Sequence, residues 1–554
     1  MRKNSQVFII VGVMLGTLLY SLDQLIVATA MPQIVRELHE LSQLSWVFTA
    51  YMLTSTITIP IYGKLSDIFG RRGLYIIGIV IFLSGSILSG ISQNMTELII
   101  FRGLQGIGGG AMMVNTIAII GDIFVPAERG KWQGLNMGVY GLATIAGPLL
   151  GGWITDNFSW RWVFFINIPI GIIAIGIVAA CMPRIVHKVK DRAIDFLGAL
   201  LITVGLVPLL LALVWGGSQY PWLSWQIILL FVVAVCGLLA FILSEHKARE
   251  PILSLSLFKK KAFTISIVVT FLTMIGLYGS LLYIPLFAQD VIAVSATNSG
   301  LILVPMMIGM IIASVTGGQI VSRTGKYKVL TIISLIVTVV GMALFINIGL
   351  RTTNLALSLR MVVLGIGLGI GLPIFTTIVQ SAFGQERLGE VTASSQLFKN
   401  IGGTFSTAVL GGVMNSQLTG QTSNIRNDPF VAILKQLNPA AASTKIDVNT
   451  IQGYLSPEGQ SQIKAMIAKA PQASQGQLLD SFNHFLSVSK NALSYSMDHV
   501  FVIATIFMFV ALVLVFFLPQ ITLRKSKHTA LEEAELEIGE ELGAQSDSKH
   551  APGL

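Results

Sequence analysis

Gly63-Lys64-Leu65-Ser66-Asp67-Ile68-Phe69-Gly70-Arg71-Arg72-Gly73 separates two apolar runs, and the chain carries a second version of it. Between two later runs stands Gly318-Gln319-Ile320-Val321-Ser322-Arg323-Thr324-Gly325-Lys326-Tyr327. Glycine recurs at the first and eighth positions, a cation follows the second glycine, and Ser322 takes the place of Asp67. A tight turn between membrane helices explains the cations and one glycine, but not the matched spacing. Two such turns about half a chain apart imply two related helical bundles, the arrangement of secondary carriers.

The composition around these turns requires a membrane. Of 554 residues, 53% are hydrophobic and 11% charged, with mean hydropathy +0.76, where a soluble domain carries about 25% charged residues. Such a chain cannot cover a globule with polar surface, so lipid is its solvent. The net charge of +9 does not point to nucleic acid, because the basic residues sit in short clusters between apolar runs. Cys181 and Cys236 both lie inside apolar stretches and offer neither a disulfide framework nor metal-ligand spacing.

Windows of about 20 apolar residues mark fourteen spans, from 7–30 to 498–518. The expected fold is an all-α polytopic membrane protein: a six-helix bundle over 1–182, a two-helix insertion with its linkers over 183–250, and a second six-helix bundle over 251–518. A tail over 519–554 follows. The first span has a signal-peptide rival in Arg2, Lys3 and Ala28-Thr29-Ala30, but its length and Asp23 favour retention. Alternating the spans places about 24 Lys or Arg inside, Lys399 counted among them, against Arg36, Arg161 and Arg351 in short outside loops. Both termini are therefore expected in the cytoplasm, with the chain in the plasma membrane. Residues 416–497 form a long polar outer segment in which 456–470 and 476–493 have helical spacing. It reads as an ordered cap, or a flexible loop, that insertion does not require.

The turn at 63–73 resembles the signature loop of the major facilitator superfamily. Leu22-Asp23 with Pro32, Arg102-Gly103-Leu104-Gln105-Gly106, Gly138 with Gly147-Pro148-Leu149-Leu150-Gly151-Gly152, and Trp160-Arg161-Trp162-Val163-Phe164-Phe165-Ile166-Asn167-Ile168-Pro169 extend the likeness. In that order they resemble the fourteen-helix drug:proton antiporter branch, the EmrB/QacA-like transporters. The resemblance implies a proton-driven exporter of amphipathic or cationic organic compounds working by alternating access. Export of a lipid-like cell-envelope metabolite and proton symport for uptake are the alternatives.

Individual residues carry more specific expectations. Asp23 lies inside a span, where a carboxylate costs about 2.5–3.5 kcal/mol on insertion scales; proton or substrate coupling competes with a structural hydrogen bond. Helix geometry places Asp23 about 10 Å and Arg102 about 6 Å below the outer surface. Arg102 at that depth either tunes the proton affinity of Asp23 or snorkels to the interface. Asp67 is expected at the start of the third helix, suited to its dipole, with Arg71 one turn on. Resemblance makes Gly63, Asp67, Gly70, Arg71 and Arg72 a conformational latch to the other bundle, against the simpler reading of a capped turn with anchoring cations. Gly138, Gly147, Pro148, Gly151 and Gly152 form the antiporter motif, packed across the bundles or within one. Tyr278, Tyr283, Met306 and Met310 are candidates for an adaptable substrate cavity.

Other classes fit poorly. No G-x-x-x-x-G-K-[ST] loop exists, so ATP does not drive transport. The histidines lie in loops, tails or at rims, so no metalloenzyme, metal or cofactor is expected. Partners are small-molecule substrates, protons and the bilayer, with neither nucleic acid nor ATP, and the sequence identifies no accessory export partner.

Overall fold

A computed structural model describes residues 3–38, 43–183, 195–217, 219–248, 250–292, 294, 301–350, 352–426, 428–431, 454–455, 457–469 and 472–520. Helices occupy nearly all of them: α1 (Lys3–Leu38), α2 (Leu44–Phe69), α3 (Arg71–Ile91), α4 (Met95–Ile123), α5 (Pro126–Asn157), α6 (Asn167–Cys181) and α7 (Phe196–Trp215). There follow α8 (Trp225–Glu245), α9 (Lys261–Asp290), α10 (Val304–Thr324), α11 (Tyr327–Ala343), α12 (Asn354–Ser381), α13 (Leu388–Arg426) and α14 (Gln472–Val515). A helical turn, Trp162–Phe165, precedes α6, and a short helix, Pro457–Ala468, precedes α14. Each expected apolar run falls largely on one of these helices. Among the described residues eleven candidate spans are long and apolar enough to cross a membrane, with Tyr327–Ala343 a shorter apolar helix; α2 and α13 carry more serine, threonine and asparagine.

Local chemistry sets the helix ends. Asn94 accepts the Glu97 amide while the Glu97 carboxylate accepts the amide of Gln93, so α4 begins on a reciprocal cap. Asp195 caps α7 by accepting the Gly198 amide. The recurrent eighth glycine has a backbone cause: Gly70 ends α2 at φ 91° and Gly325 ends α10 at φ 70°, a region that other residues rarely enter. The end of the molecule where α1 begins and both these turns lie is called the near face; the opposite end is the far face.

Burial sorts central from peripheral helices. The most apolar window of α4 is 83% buried and that of α8 only 22%. Exposed leucines, valines and phenylalanines cover the outer helices, the inverse of a soluble globule and the surface that lipid requires. In the first half α4 packs on α2 and α3, and α1 on α5 and α6. In the second, α12 packs on α10 and α11, and α9 on α13 and α14. Glycines reproduce this in both halves. A Cβ on Gly108 would meet Phe82 Cα of α3 at 2.8 Å, and one on Gly109 would meet the Tyr51 hydroxyl of α2 at 2.5 Å. Likewise a Cβ on Gly367 would meet Thr338 of α11 at 2.6 Å, and one on Gly369 would meet Met310 of α10 at 2.6 Å. The glycines let backbones approach where lipid offers no hydrophobic drive. α7 and α8 pack on each other, and α7 touches both α2 and α13, so the pair lies along the junction of the halves.

Two expectations need correction here. Lys399 is not in a near-face loop: α13 begins at Leu388, which puts Lys399 eleven residues, or roughly 16 Å, along the helix. The segment 416–497 is not separable from the bundle over its described residues. α13 continues to Arg426 and α14 already begins at Gln472. Phe430, Leu455, Ile463, Ile467, Leu478, Phe482, Phe485 and Leu486 are buried in one core with the second half, while Met466 and Leu479 stay exposed. The ordered cap therefore holds there. Most of the linker 183–194 and the tail beyond 520 lie outside the described residues.

Candidate functional site

Asp23 of α1 and Arg102 of α4 meet fully buried, Nη1 to Oδ2 at 2.6 Å. Gln105, one turn after Arg102, donates Nε2 to Asp23 Oδ1 at 2.8 Å and accepts from Arg102 Nη1 at 2.7 Å. Asn167 reaches the same Oδ1 at 3.0 Å because the helix break after Phe165 sets it at the start of α6. It also donates to the Ser86 hydroxyl at 3.0 Å, and Ser86 donates to the Phe164 carbonyl at 2.8 Å. The guanidinium lies 4.4 Å from the centre of the Tyr51 ring, within cation–π range. Side chains of α2, α3, α4 and α6 thus gather around one carboxylate of α1, which three donors from α4 and α6 hold. Arg102 Nε and Asn167 Oδ1 are buried without a hydrogen bond, so the cluster retains spare capacity for a rearranged set of partners. Gln105 and Asn167 stand in the quoted motifs with no role of their own, and Ser86 and Tyr51 stand in none; each is a polar group within a span, which is the signal that points to them.

The turn at 63–73 has its own buried network. Arg71 bonds to Asp67 and Ser66, and its Nε bonds to Asp122 at 3.0 Å. Asp67 does not begin the third helix: α2 continues to Phe69, so the carboxylate sits in the last turn of α2, against that helix's own dipole. Two things offset this, the Arg71 guanidinium and the start of α13 across the seam. Asp67 Oδ1 accepts the Gly389 amide at 2.9 Å and Oδ2 the Glu390 amide at 2.8 Å. Gly63 allows the approach, since a Cβ there would meet the Gly389 carbonyl oxygen at 2.8 Å. Gly70 supplies the turn. Arg72 instead bonds to the Ala179 carbonyl at the end of α6, within its own half, and Lys64 bonds to Glu250 at 2.6 Å.

The repeated turn makes the matching contact. A Cβ on Gly318 would meet Lys131 N at 2.7 Å and Gly130 C at 2.8 Å, at the start of α5. The seam continues as Gly134 against Ser314, Gly138 against Ile311 and Gly141 against Met307. Gly138 thus faces the other half. Gly147 and Gly151 do not: they face Leu25, Ile26 and Thr29 of α1, because at 3.6 residues per turn they share the opposite face of α5 with Asn136, which accepts from Thr17 of α1. A Cβ on Gly152 would meet nothing within 4 Å; Pro148 lies between, inside a helix that continues to Asn157. On the other seam Gln380 donates to the Ile117 carbonyl at 3.2 Å and Asn400 to the Thr56 hydroxyl at 3.3 Å.

The cavity candidates divide. Tyr278 of α9 is within electrostatic reach of Tyr20 of α1 and Tyr140 of α5, across the halves. Met306 and Met310 instead pack their backbones against Gly365 and Gly369 of α12, so they hold two helices of one half together. Tyr283 is buried in the second-half core near Gly411.

Two helical halves meeting at paired seams, with a buried ion pair in one, define a multi-pass membrane carrier. A family model described as Major Facilitator Superfamily matches residues 13–407. The chain belongs to that superfamily, and is accordingly a transporter of small molecules that needs no ATP, not an enzyme. It is 41% identical over 545 residues to the multidrug transporter protein MdtP of Bacillus subtilis (strain 168), covering 96% of this chain and 97% of the relative. Multidrug resistance protein 3 of the same organism is 35% identical over 522 residues, with 93% and 96% covered. Among solved structures, the proton:xylose symporter XylE aligns with TM-score 0.53 at 16% identity, covering 94% of this chain and 97% of that one.

Proposed function

We propose that this chain is a proton-driven antiporter that exports amphipathic or cationic organic compounds by alternating access. It sits in the plasma membrane with fourteen crossings and both termini cytoplasmic, so that the near face is the inner one. Its units are the bundle 1–182, the insertion 183–250, the bundle 251–518 and the tail 519–554. The observation that carries the reading is the Asp23 carboxylate, fully buried and held by Arg102, Gln105 and Asn167. A proton on Asp23 converts an acceptor into a donor and dissolves the charge attraction to Arg102, whose buried Nε is then free to find a new partner. Proton binding thereby becomes a movement between α1 and α4. Because α1 packs on Gly147 and Gly151 of α5, and α5 forms a seam with α10, that movement reaches the contact between the halves.

The near-face seams support a latch at Gly63, Asp67, Gly70 and Arg71, which holds the inner side shut in this conformation. Arg72 belongs to the anchoring of α3. The names of the two Bacillus relatives favour drugs as substrates. The test is transport in proteoliposomes under an imposed pH gradient. Asp23→Asn keeps an acceptor for Gln105 and Asn167 but cannot titrate. It is expected to insert and fold, to abolish uphill export, and to abolish substrate-dependent proton release. Unchanged coupling in this variant would refute the proposal.

A further inference from the structure

Lys399 lies eleven residues into the 39-residue α13, in one of the two helices of the α2–α13 seam. Its ammonium donates to the Thr376 hydroxyl of α12 at 2.9 Å. No charged group interacts with it among the described residues, whereas Arg71 and Arg102 each hold a carboxylate. Its neighbours are polar but neutral: Asn400 bonds to Thr56 across the seam and Gln396 donates to Asn400 at 3.1 Å. The side chain is partly accessible, and its partners Thr376 of α12 and, through Asn400, Thr56 of α2 set it beside the contact between the halves. Cations within spans are costly and mark sites of function.

We propose that Lys399, with Thr376 and Asn400, is the recognition point for the anionic group of an amphipathic substrate, a carboxylate, sulfonate or phosphate monoester. The argument is one of charge. Asp23 is already matched by Arg102, so that pair presents no net charge to a substrate between the halves. Lys399 adds one positive charge close to where the two halves part, and an ammonium in a low-dielectric setting is balanced best by an anion that arrives and leaves. Thr376, whose hydroxyl donates to the Leu372 carbonyl and accepts from Lys399, positions the ammonium, and the Asn400 amide, with one N–H beyond its bond to Thr56, supplies a further donor. The Tyr278 ring, which lies on Gly403 one turn beyond Lys399, offers an aromatic face for the apolar body. The exported class is thereby narrowed to anionic or zwitterionic amphipaths, with simple lipophilic cations disfavoured. This rests on the reading that substrate is carried between the halves.

The test is equilibrium binding of two fluorescent probes to the full chain in nanodiscs, with empty nanodiscs subtracted. One is a dansyl-labelled fatty carboxylate and the other a dansyl-labelled alkyl trimethylammonium of the same length. The unsubstituted protein is expected to bind the carboxylate about tenfold more tightly than the ammonium, or better. Lys399→Met removes that preference, Lys399→Arg keeps it, and Lys399→Glu reverses it. Thr376→Val, which leaves the charge in place, retains most of it. Equal affinity of the unsubstituted protein for both probes, binding of neither, or an equal loss for both in Lys399→Met, would overturn the proposal. Should Asp23→Asn leave proton coupling intact while the charge preference persists, the antiport reading falls and this one stands.

Discussion

Asp67→Asn tests the seam most directly. In the wild type both carboxylate oxygens accept backbone amides from the first turn of α13, at 2.9 and 2.8 Å, and the same group holds Arg71. Asparagine offers one acceptor oxygen and turns the other position into a donor aimed at an amide. One charge-assisted hydrogen bond is lost outright, worth about 1.5–3 kcal/mol, and the negative charge that complements the α13 dipole goes with it. An exposed pair would be worth about 1 kcal/mol at most, but Asp67 is 3% exposed, so the larger figure applies. A loss of about 2 kcal/mol changes the ratio of near-closed to near-open conformers roughly thirtyfold. Spin labels on the near-face ends of α2 and α13, read by pulsed dipolar spectroscopy, report that ratio directly. The variant is expected to populate longer distances strongly and to transport more slowly, while keeping the proton dependence proposed for Asp23. Ser322→Ala is the control, because the equivalent serine carries no charge. Unchanged distances in Asp67→Asn, or an equal change in Ser322→Ala, would show that Asp67 only trims the end of α2.

Gly389→Ala should open the same seam, since its Cβ would meet the Gly63 carbonyl at 2.5 Å and Asp67 Oδ1 at 2.6 Å; the same distance measurement checks it. Phe430→Ala empties a fully buried site against Phe482 and Phe485 and is expected to cost about 3 kcal/mol, seen as a lower Tm. Deletion of 416–497 should reduce folded yield by fluorescence-detected size exclusion, because it removes buried core such as Phe430, Phe482 and Phe485. On the far face, the hydrogen bond from Arg161 holds the Glu37 carboxyl below its usual value. Its contribution is present above the ordinary carboxylate range and is lost as pH falls through and below it. Glu37→Gln should accordingly flatten the part of the acid-unfolding curve below the usual carboxylate pKa.

Much of the fold was legible because membrane helices must satisfy every backbone group internally and must be apolar where they meet lipid. Run length and charge placement therefore report on span after span. The Asp23–Arg102 contact was also legible, since depth along two helices is simple arithmetic. What sequence could not resolve were questions of which face and which end. Whether Gly147 meets α1 or the other half depends on which face of α5 each neighbour takes, and α5 has glycines on both. Asp67 was misplaced because a glycine turn does not reveal that the helix before it runs on to Phe69. Lys399 was counted with the loops because a lone lysine in a moderately polar stretch looks like a boundary, and only the full length of α13 shows otherwise. The cap was read as separable because its buried aromatics are diluted by glutamine, serine and alanine.

The two seams differ in kind, and this gives the molecule a handedness of motion. Along α2 and α13 the closure depends on a carboxylate meeting helix amides, an attraction that acts over a short range and disappears once the groups part. Along α5 and α10 it is backbone lying on backbone at Gly130 and Gly318, with Gly134, Gly138 and Gly141 of α5 against Ser314, Ile311 and Met307 beyond. Contact of the second kind tolerates sliding and rotation with little change in energy; contact of the first kind is either made or broken. Opening of the near face should therefore resemble a door and not a pair of jaws, with α5 and α10 as the hinge line and α2 and α13 as the free edge. A solute leaving or entering on that side would pass next to α2, beside which the pair α7 and α8 packs.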